Sequence, residues 1–271
     1  MTNAESFAND GFLILPSVIP QDLLTRVRAR IAAVCAGEYE SGTPPNSRNI
    51  PPFAGQPPGL AKIDNSHLSD RTILELVSHP AIGRIAAAIT GASFVQVFAT
   101  QLLIKPQASG ASELSSVGWH QDQEYWDGAL QGELFTAWVA ISDVTAASGP
   151  MHFVRGSHRW GLLNAGDFFS DNLDALKQRI REKQGGGAWD EVAGVLPPGG
   201  VSFHHRLTVH GSGPNRGTGP RVSFAIHLRT EKSGLRPGKT WQEAGYLNDF
   251  ADPVGSPVSF SSPTSQDRTT P

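Results

Sequence analysis

Cysteine is nearly missing: Cys35 is the only one among 271 residues, so no disulfide can close within the chain and no cysteine-based zinc site can form. An excess of basic residues is missing as well. Lys and Arg number 22 against 25 Asp and Glu, a net charge of −3, so no nucleic-acid partner held by bulk phosphate attraction is expected. Apolar runs such as Phe135 to Ile141 fall far short of a membrane span, and no membrane partner is expected. The opening Met-Thr-Asn-Ala-Glu-Ser has no basic start followed by an apolar stretch, so the expectation is a soluble, cytoplasmic protein. Gly and Pro, at 29 and 20 residues, stay below the fraction that marks a disordered chain. What remains is 39% hydrophobic residues in a length that suits one domain with a packed core.

The N-terminal third reads as helical. Leu23, Leu24, Val27, Ile31 and Val34 recur at helical spacing after Pro20, with Gly37 as a stop. Residues 41–59, rich in Pro, Gly, Asn and Ser, read as a long loop without regular structure. A second helical pattern over 70–89 should break at Pro80 and end at Gly91. From Ser93 the period changes to short β-type segments at 94–104, 134–141, 151–154, 200–203 and 221–228, separated by turn residues. That pattern favours an antiparallel sandwich or jelly roll over alternating strands and helices. The fold class is therefore mainly β with flanking helices. One domain over 1–255 is expected, with its β core at 93–230 and a polar, partly helical insertion at 160–198 placed as a lid. The Ser/Thr/Pro-rich stretch 256–271 reads as a disordered tail.

The chemistry concentrates in Gly118-Trp119-His120-Gln121-Asp122. On an extended strand, residues two apart point to one face, so His120 and Asp122 can present an imidazole and a carboxylate to a common point. His210, before a Gly-rich turn, is the best third ligand. Two histidines and a carboxylate form the facial triad of non-haem Fe(II) oxygenases. Arg221 follows eleven residues after His210, across a turn that should bring the next strand back beside the first. Its guanidinium can then bind a carboxylate near the metal through two parallel hydrogen bonds, with the Ser212 hydroxyl added to the same carboxylate. Without the triad, an ordinary surface ion pair would be the default for Arg221.

Other residues are weaker candidates. His204 shares strand parity with His210 and is a rival ligand or pocket residue, whereas His205 faces the other side. Tyr125 and Trp126 follow the metal segment and stand as pocket walls for a substrate. Lys62 could meet a substrate anion, although a solvated surface is the blander reading of the 62–67 segment. Phe53 and Trp241 lie in irregular segments that could close over a substrate. His158 reads as packing behind the site; His67, His79, His152 and His227 have no partner in sequence and are assigned to core or surface.

Taken together, Trp119-His120-Gln121-Asp122, Thr136-Ala137-Trp138, Gly149-Pro150, Gly156-Ser157-His158, His210-Gly211-Ser212 and Arg221 resemble the phytanoyl-CoA dioxygenase family over roughly residues 10 to 230. The resemblance implies a double-stranded β-helix, and Fe(II) held by His120, Asp122 and His210. It implies 2-oxoglutarate held by Arg221, with Ser212, Gln121 and Trp138 nearby and Lys105 and Gln101 at the same end. It also implies consumption of O2, release of succinate and carbon dioxide, and oxidation of an unactivated C–H bond of a small molecule. Asp122 fills the position that halogenating members leave to a small residue, which favours hydroxylation. The alternatives are a zinc-dependent hydrolase using the same triad, and a jelly-roll binding protein without catalysis.

Overall fold

Residues 1–50, 59–108 and 115–263 are described by the structure, a computed structural model. Its main sheet runs in the order Phe12–Leu15, Val201–His205, Leu134–Ala140, Arg221–Thr230, Phe94–Lys105, Ala61–Asp64 and Ser47–Asn49, with Val258–Ser261 also paired to Phe94–Lys105. A smaller sheet runs Val117–His120, His210–Ser212, His152–Val154 and Glu191–Ala193. All named strand pairs are antiparallel. The two sheets line one cavity between them, the expected jelly-roll core.

Both faces of the central strands of the main sheet are buried, so these strands do not alternate apolar with solvent-facing residues. They alternate apolar with chemically equipped ones. Phe135, Ala137, Val139, Phe224, Ile226 and Leu228 pack on the helix side with Leu23, Leu24, Val27, Ile73 and Ile82. The opposite parity carries Thr136, Trp138, Arg221, Ala225 and His227 into the cavity. Ladder pairing sets these side by side: Ala225 opposes both Trp138 and Gln101, and Arg221 opposes Lys105.

The helical expectations hold. Gln21–Ala36 ends at Gly37 in the left-handed region (φ 86°), and the second pattern divides into Arg71–Val77 and Pro80–Thr90 at the proline. The stretch Arg71–Thr90 is long and apolar enough to cross a membrane by length and composition alone. In the fold its Ile73, Leu76, Val77, Ile82 and Ala86 are fully buried in the main core. His67, read in sequence as core or surface, is a core residue. Its Nε2–H donates to the Gly255 carbonyl (3.1 Å) and its Nδ1 accepts the Thr100 hydroxyl (2.9 Å). Burial lowers its pKa from 6.5 to about 4, so the unfolded chain takes up a proton that the native chain refuses. The stability this gives is complete above pH 6.5 and is lost as pH falls towards 4, by roughly 3 kcal/mol. Urea unfolding at pH 7 and pH 4.5 should show that loss, and His67→Gln should shrink it. An unchanged pH slope in the variant would refute the assignment.

Four expectations need correction. The 41–59 loop contributes a short strand, Ser47–Asn49, paired with Ala61–Asp64. Asp64, Asn65, Ser66 and His67 are buried rather than solvated. The tail is not disordered from 256: Val258–Ser261 pairs with Phe94–Lys105, and Ser256 and Ser259 are buried. Unpaired edge groups on a long strand explain why a polar segment is drawn into the sheet. The 160–198 insertion does form its helix, Leu173–Gln184, but this helix covers the back of the small sheet, with Leu176 and Ile180 packed among Trp119, Val154 and Val209. Only its leading segment reaches the cavity. The Gly118 N–H donates to the Phe168 carbonyl (3.1 Å), and a Cβ on Gly118 would sit 1.9 Å from the Asp167 carbonyl oxygen, so glycine is what lets the insertion dock.

Candidate active site

His120 ends its strand and His210 begins the neighbouring one, where the two are direct cross-strand partners with rings 4.2 Å apart. Asp122 reaches them differently from the sequence argument. Its backbone is already helical (φ −54°, ψ −35°), at the start of the short helix Gln123–Trp126, so a turn rather than strand parity brings it round. The ligand atoms of His120, Asp122 and His210 all lie within 4.8 Å of one another. Asp122 Oδ1 is 3.7 Å from His120 Nε2 and 3.6 Å from His210 Nε2.

The hydrogen bonds behind these atoms decide their protonation. The Nδ1–H of His120 donates to the Gly118 carbonyl (2.7 Å) and that of His210 to the Thr208 carbonyl (2.9 Å). Both Nε2 lone pairs are thereby turned towards a carboxylate oxygen, three acceptors converging without a proton, and a cation fits that arrangement. The other Asp122 oxygen accepts from the Thr136 hydroxyl (2.7 Å) and the His204 Nε2–H (3.1 Å). Burial opposes the Asp122 charge, but the surrounding imidazoles outweigh it and hold the carboxyl well below its ordinary 3.8. Burial, reinforced by His120 and His204, holds His210 well below 6.5. A neutral imidazole and an ionised carboxylate are the forms that bind metal.

An anion subsite lies in the same cavity, whose empty space is about 410 Å³. Arg221 is 1% exposed and one of its terminal nitrogens donates to the Gly149 carbonyl. Its Nε has no partner, nor has the indole N–H of Trp138, over which the guanidinium lies at 5.1 Å from the ring centroid. Burial alone pushes Arg221 down to about 9. A buried cation facing a cavity, with no carboxylate paired to it among the described residues, calls for an anionic ligand. The expected neighbouring hairpin is not the cause of this placement. His210 and Arg221 belong to different sheets, and the intervening loop carries the chain across the cavity. Ser212 lines the cavity, and its hydroxyl accepts from Lys105 Nζ (2.7 Å). Lys105 also donates to the Gly213 carbonyl and braces this loop from behind, outside the cavity wall. Gln101 does line the cavity.

Gln121 must be corrected. Its amide donates to the Gly161 and Leu207 carbonyls (2.8 and 2.7 Å) and accepts from the Leu163 N–H (2.8 Å). Facing away from its neighbours His120 and Asp122, it ties the insertion to the metal segment.

A second chamber adjoins His120 and Asp122, and Tyr125, Trp126 and Lys62, the residues expected to meet a substrate, line it. Tyr125 accepts the Phe168 N–H at its hydroxyl (2.8 Å), and the Trp126 indole donates to the Tyr246 hydroxyl (3.0 Å). Lys62 is held by both oxygens of Asp64 (2.7 and 2.9 Å). His204 lines the first cavity but holds Asp122 rather than competing as a ligand. Phe53 lies outside the described residues. Trp241 packs against Phe250, with ring centroids 4.5 Å apart. Sequence reasoning gave no part in the site to Thr136, His227, Phe168 or Tyr246. Of these, His227 carried a signal: it shares the parity of Arg221 on a strand that the sequence itself marks.

The phytanoyl-CoA dioxygenase (PhyH) sequence profile matches residues 7–223. Peroxisomal phytanoyl-CoA dioxygenase of Homo sapiens is 23% identical over 82% of this chain and 66% of its own length. Ectoine dioxygenase of Bordetella parapertussis is 27% identical, covering 87% of this chain and 77% of that protein. Among solved structures, the non-haem monooxygenase ThoJ is 28% identical with a TM-score of 0.63, over 88% of this chain and 81% of that one. The carbocyclase SnoK from nogalamycin biosynthesis shares the fold with a TM-score of 0.72 at 21% identity, over 94% of both chains. With a profile spanning most of its length, the chain belongs to the phytanoyl-CoA dioxygenase family of iron- and 2-oxoglutarate-dependent oxygenases.

Proposed function

We propose that the protein hydroxylates an unactivated C–H bond of a small organic metabolite of secondary metabolism, consuming 2-oxoglutarate and dioxygen and releasing succinate and carbon dioxide. The observation that carries this reading is the pairing, in one cavity, of a converging His–Asp–His cluster with a buried guanidinium that has no carboxylate partner. Iron and 2-oxoglutarate supply the oxidising power when bound. The chain's part is to hold, orient and exclude. His120 Nε2, His210 Nε2 and Asp122 hold the metal, and the two Nδ1–H bonds keep both rings in the binding tautomer. Arg221 takes the distal carboxylate of 2-oxoglutarate, with the Ser212 hydroxyl and the Trp138 indole N–H beside it and Gln101 on the same wall. The substrate enters the second chamber, where Tyr125, Trp126, Phe168 and Tyr246 keep water from the reacting carbon. One catalytic domain begins at residue 1 and runs past 255, since Val258–Ser261 is a strand of its main sheet.

Anaerobic titration with Fe(II) and then 2-oxoglutarate tests the reading through the visible charge-transfer band of the iron–2-oxoglutarate complex. A band that appears only after both additions supports it. Metal binding without a band would sink it and favour the hydrolase or binding-protein alternatives.

A further inference from the structure

We infer that His227 orients the substrate, and that this substrate is an uncharged, ring-bearing molecule whose hydroxyl or N–H donates to His227 Nε2. The inference rests on the reading above that the chamber beside His120 and Asp122 receives the substrate.

The Thr136 hydroxyl has one proton, and it goes to Asp122 (2.7 Å). The Thr136 oxygen is also 2.9 Å from His227 Nδ1, so there it accepts, and Nδ1 carries the ring proton. Nε2 of His227 is then a bare acceptor, buried and without a partner. His227 is 3% exposed and lines both chambers, the one that holds Arg221 and the one adjoining it. Trp126 and Phe98 fix the ring, with centroids 4.9 and 6.0 Å away. An acceptor fixed in this way, with no hydrogen-bond partner among the described residues, is complementary to a donor on the ligand.

Charge and shape narrow the ligand further. Among the described residues of the second chamber the only Lys or Arg is Lys62, already neutralised by Asp64. The described side chains of the chamber therefore offer no free cation to a polyphosphate or carboxylate. Tyr125, Trp126, Phe168 and Tyr246 supply flat apolar walls against which a ring can stack.

The test uses protein loaded anaerobically with Fe(II) and 2-oxoglutarate, and equilibrium dialysis of three probes: 2-naphthol, 2-methoxynaphthalene and 2-naphthoate. Wild type should bind 2-naphthol about 3- to 10-fold more tightly than the ether, and the anion most weakly. His227→Asn keeps a donor towards Thr136 and deletes the acceptor, so naphthol and ether should become equal. His227→Gln restores an acceptor near Nε2 and should recover the preference. A merely structural role, through Thr136, predicts the reverse order of the two variants. Equal binding of naphthol and ether by wild type, or a preference that survives His227→Asn, overturns the inference. Should the variants not fold, the nitrogen-15 histidine spectrum of metal-free wild type decides: a protonated Nε2 on His227 refutes it, a bare one supports it. A protein that shows the charge-transfer band without the naphthol preference loses this inference alone. Absence of the band removes the functional reading and this inference with it.

Discussion

Replacing Arg221 with methionine is expected to abolish affinity for 2-oxoglutarate and, at the same time, to stabilise the metal-free protein. The two effects share one cause. In the empty cavity the guanidinium is desolvated, lacks a carboxylate partner, and is pushed down to about 9 by burial. An uncompensated buried charge opposes folding, and an apolar side chain of similar length in its place is worth about 1–3 kcal/mol. Leu103, Val117, Met151 and Ala225 already line the cavity and would accept the thioether. Cosubstrate binding works in the opposite direction. Two charge-assisted hydrogen bonds to a carboxylate, at about 1.5–3 kcal/mol each, amount to a loss of roughly 10²- to 10⁴-fold in affinity. Arg221→Lys should fall between, since an ammonium keeps the charge and loses the fork. Denaturation midpoints of the metal-free proteins and 2-oxoglutarate titrations with Fe(II) present give the two readouts. A variant that is less stable yet binds 2-oxoglutarate normally would show that Arg221 is a structural cation.

Arg221 also shows how far the sequence could be read. Residue type, order and spacing, with the family resemblance they carry, were enough to single out His120, Asp122, His210 and Arg221, although only Arg221 opens a segment whose apolar run reads as a strand in the sequence. The local geometry was less accessible. Strand parity places His120 and Asp122 on one face, whereas the chain turns helical at Asp122 and reaches the same point by another path. A Gly-rich turn between His210 and Arg221 suggests a hairpin, whereas a jelly roll uses that loop to change sheets. Nothing local separates the two, since the choice depends on which distant strand each segment pairs with. Gln121 failed for a related reason. Its side chain binds carbonyls of residues 161 and 207, contacts that a linear reading cannot supply. Phe168 and Tyr246 reach the chamber from irregular segments without any periodic signal. His227 lay within reach. Counting parity from Arg221, and not only from His210, places it on the cavity wall.

Asp122→Asn provides the second large effect, because it changes charge while leaving shape alone. In wild type one carboxylate oxygen is saturated by Thr136 and His204, and the other faces two imidazole lone pairs at 3.7 and 3.6 Å. An asparagine can keep its oxygen on Thr136 and His204 and turn its NH2 towards those lone pairs, donating where the carboxylate has no proton to give. The metal-free variant should therefore be at least as stable as wild type. It should also bind Fe(II) about a thousandfold more weakly, the scale of removing a charged partner from a buried cluster. Thr136→Val is the graded comparison: it leaves all three ligands and removes one support of Asp122, for a loss of about 10- to 100-fold. Unfolding with and without metal separates the cases. Fe(II) at a hundred times its dissociation constant should add about 2.7 kcal/mol to wild type, less to Thr136→Val and nothing measurable to Asp122→Asn. Full metal stabilisation of Asp122→Asn would mean that the carboxylate is not a ligand and that the imidazoles bind the cation without it.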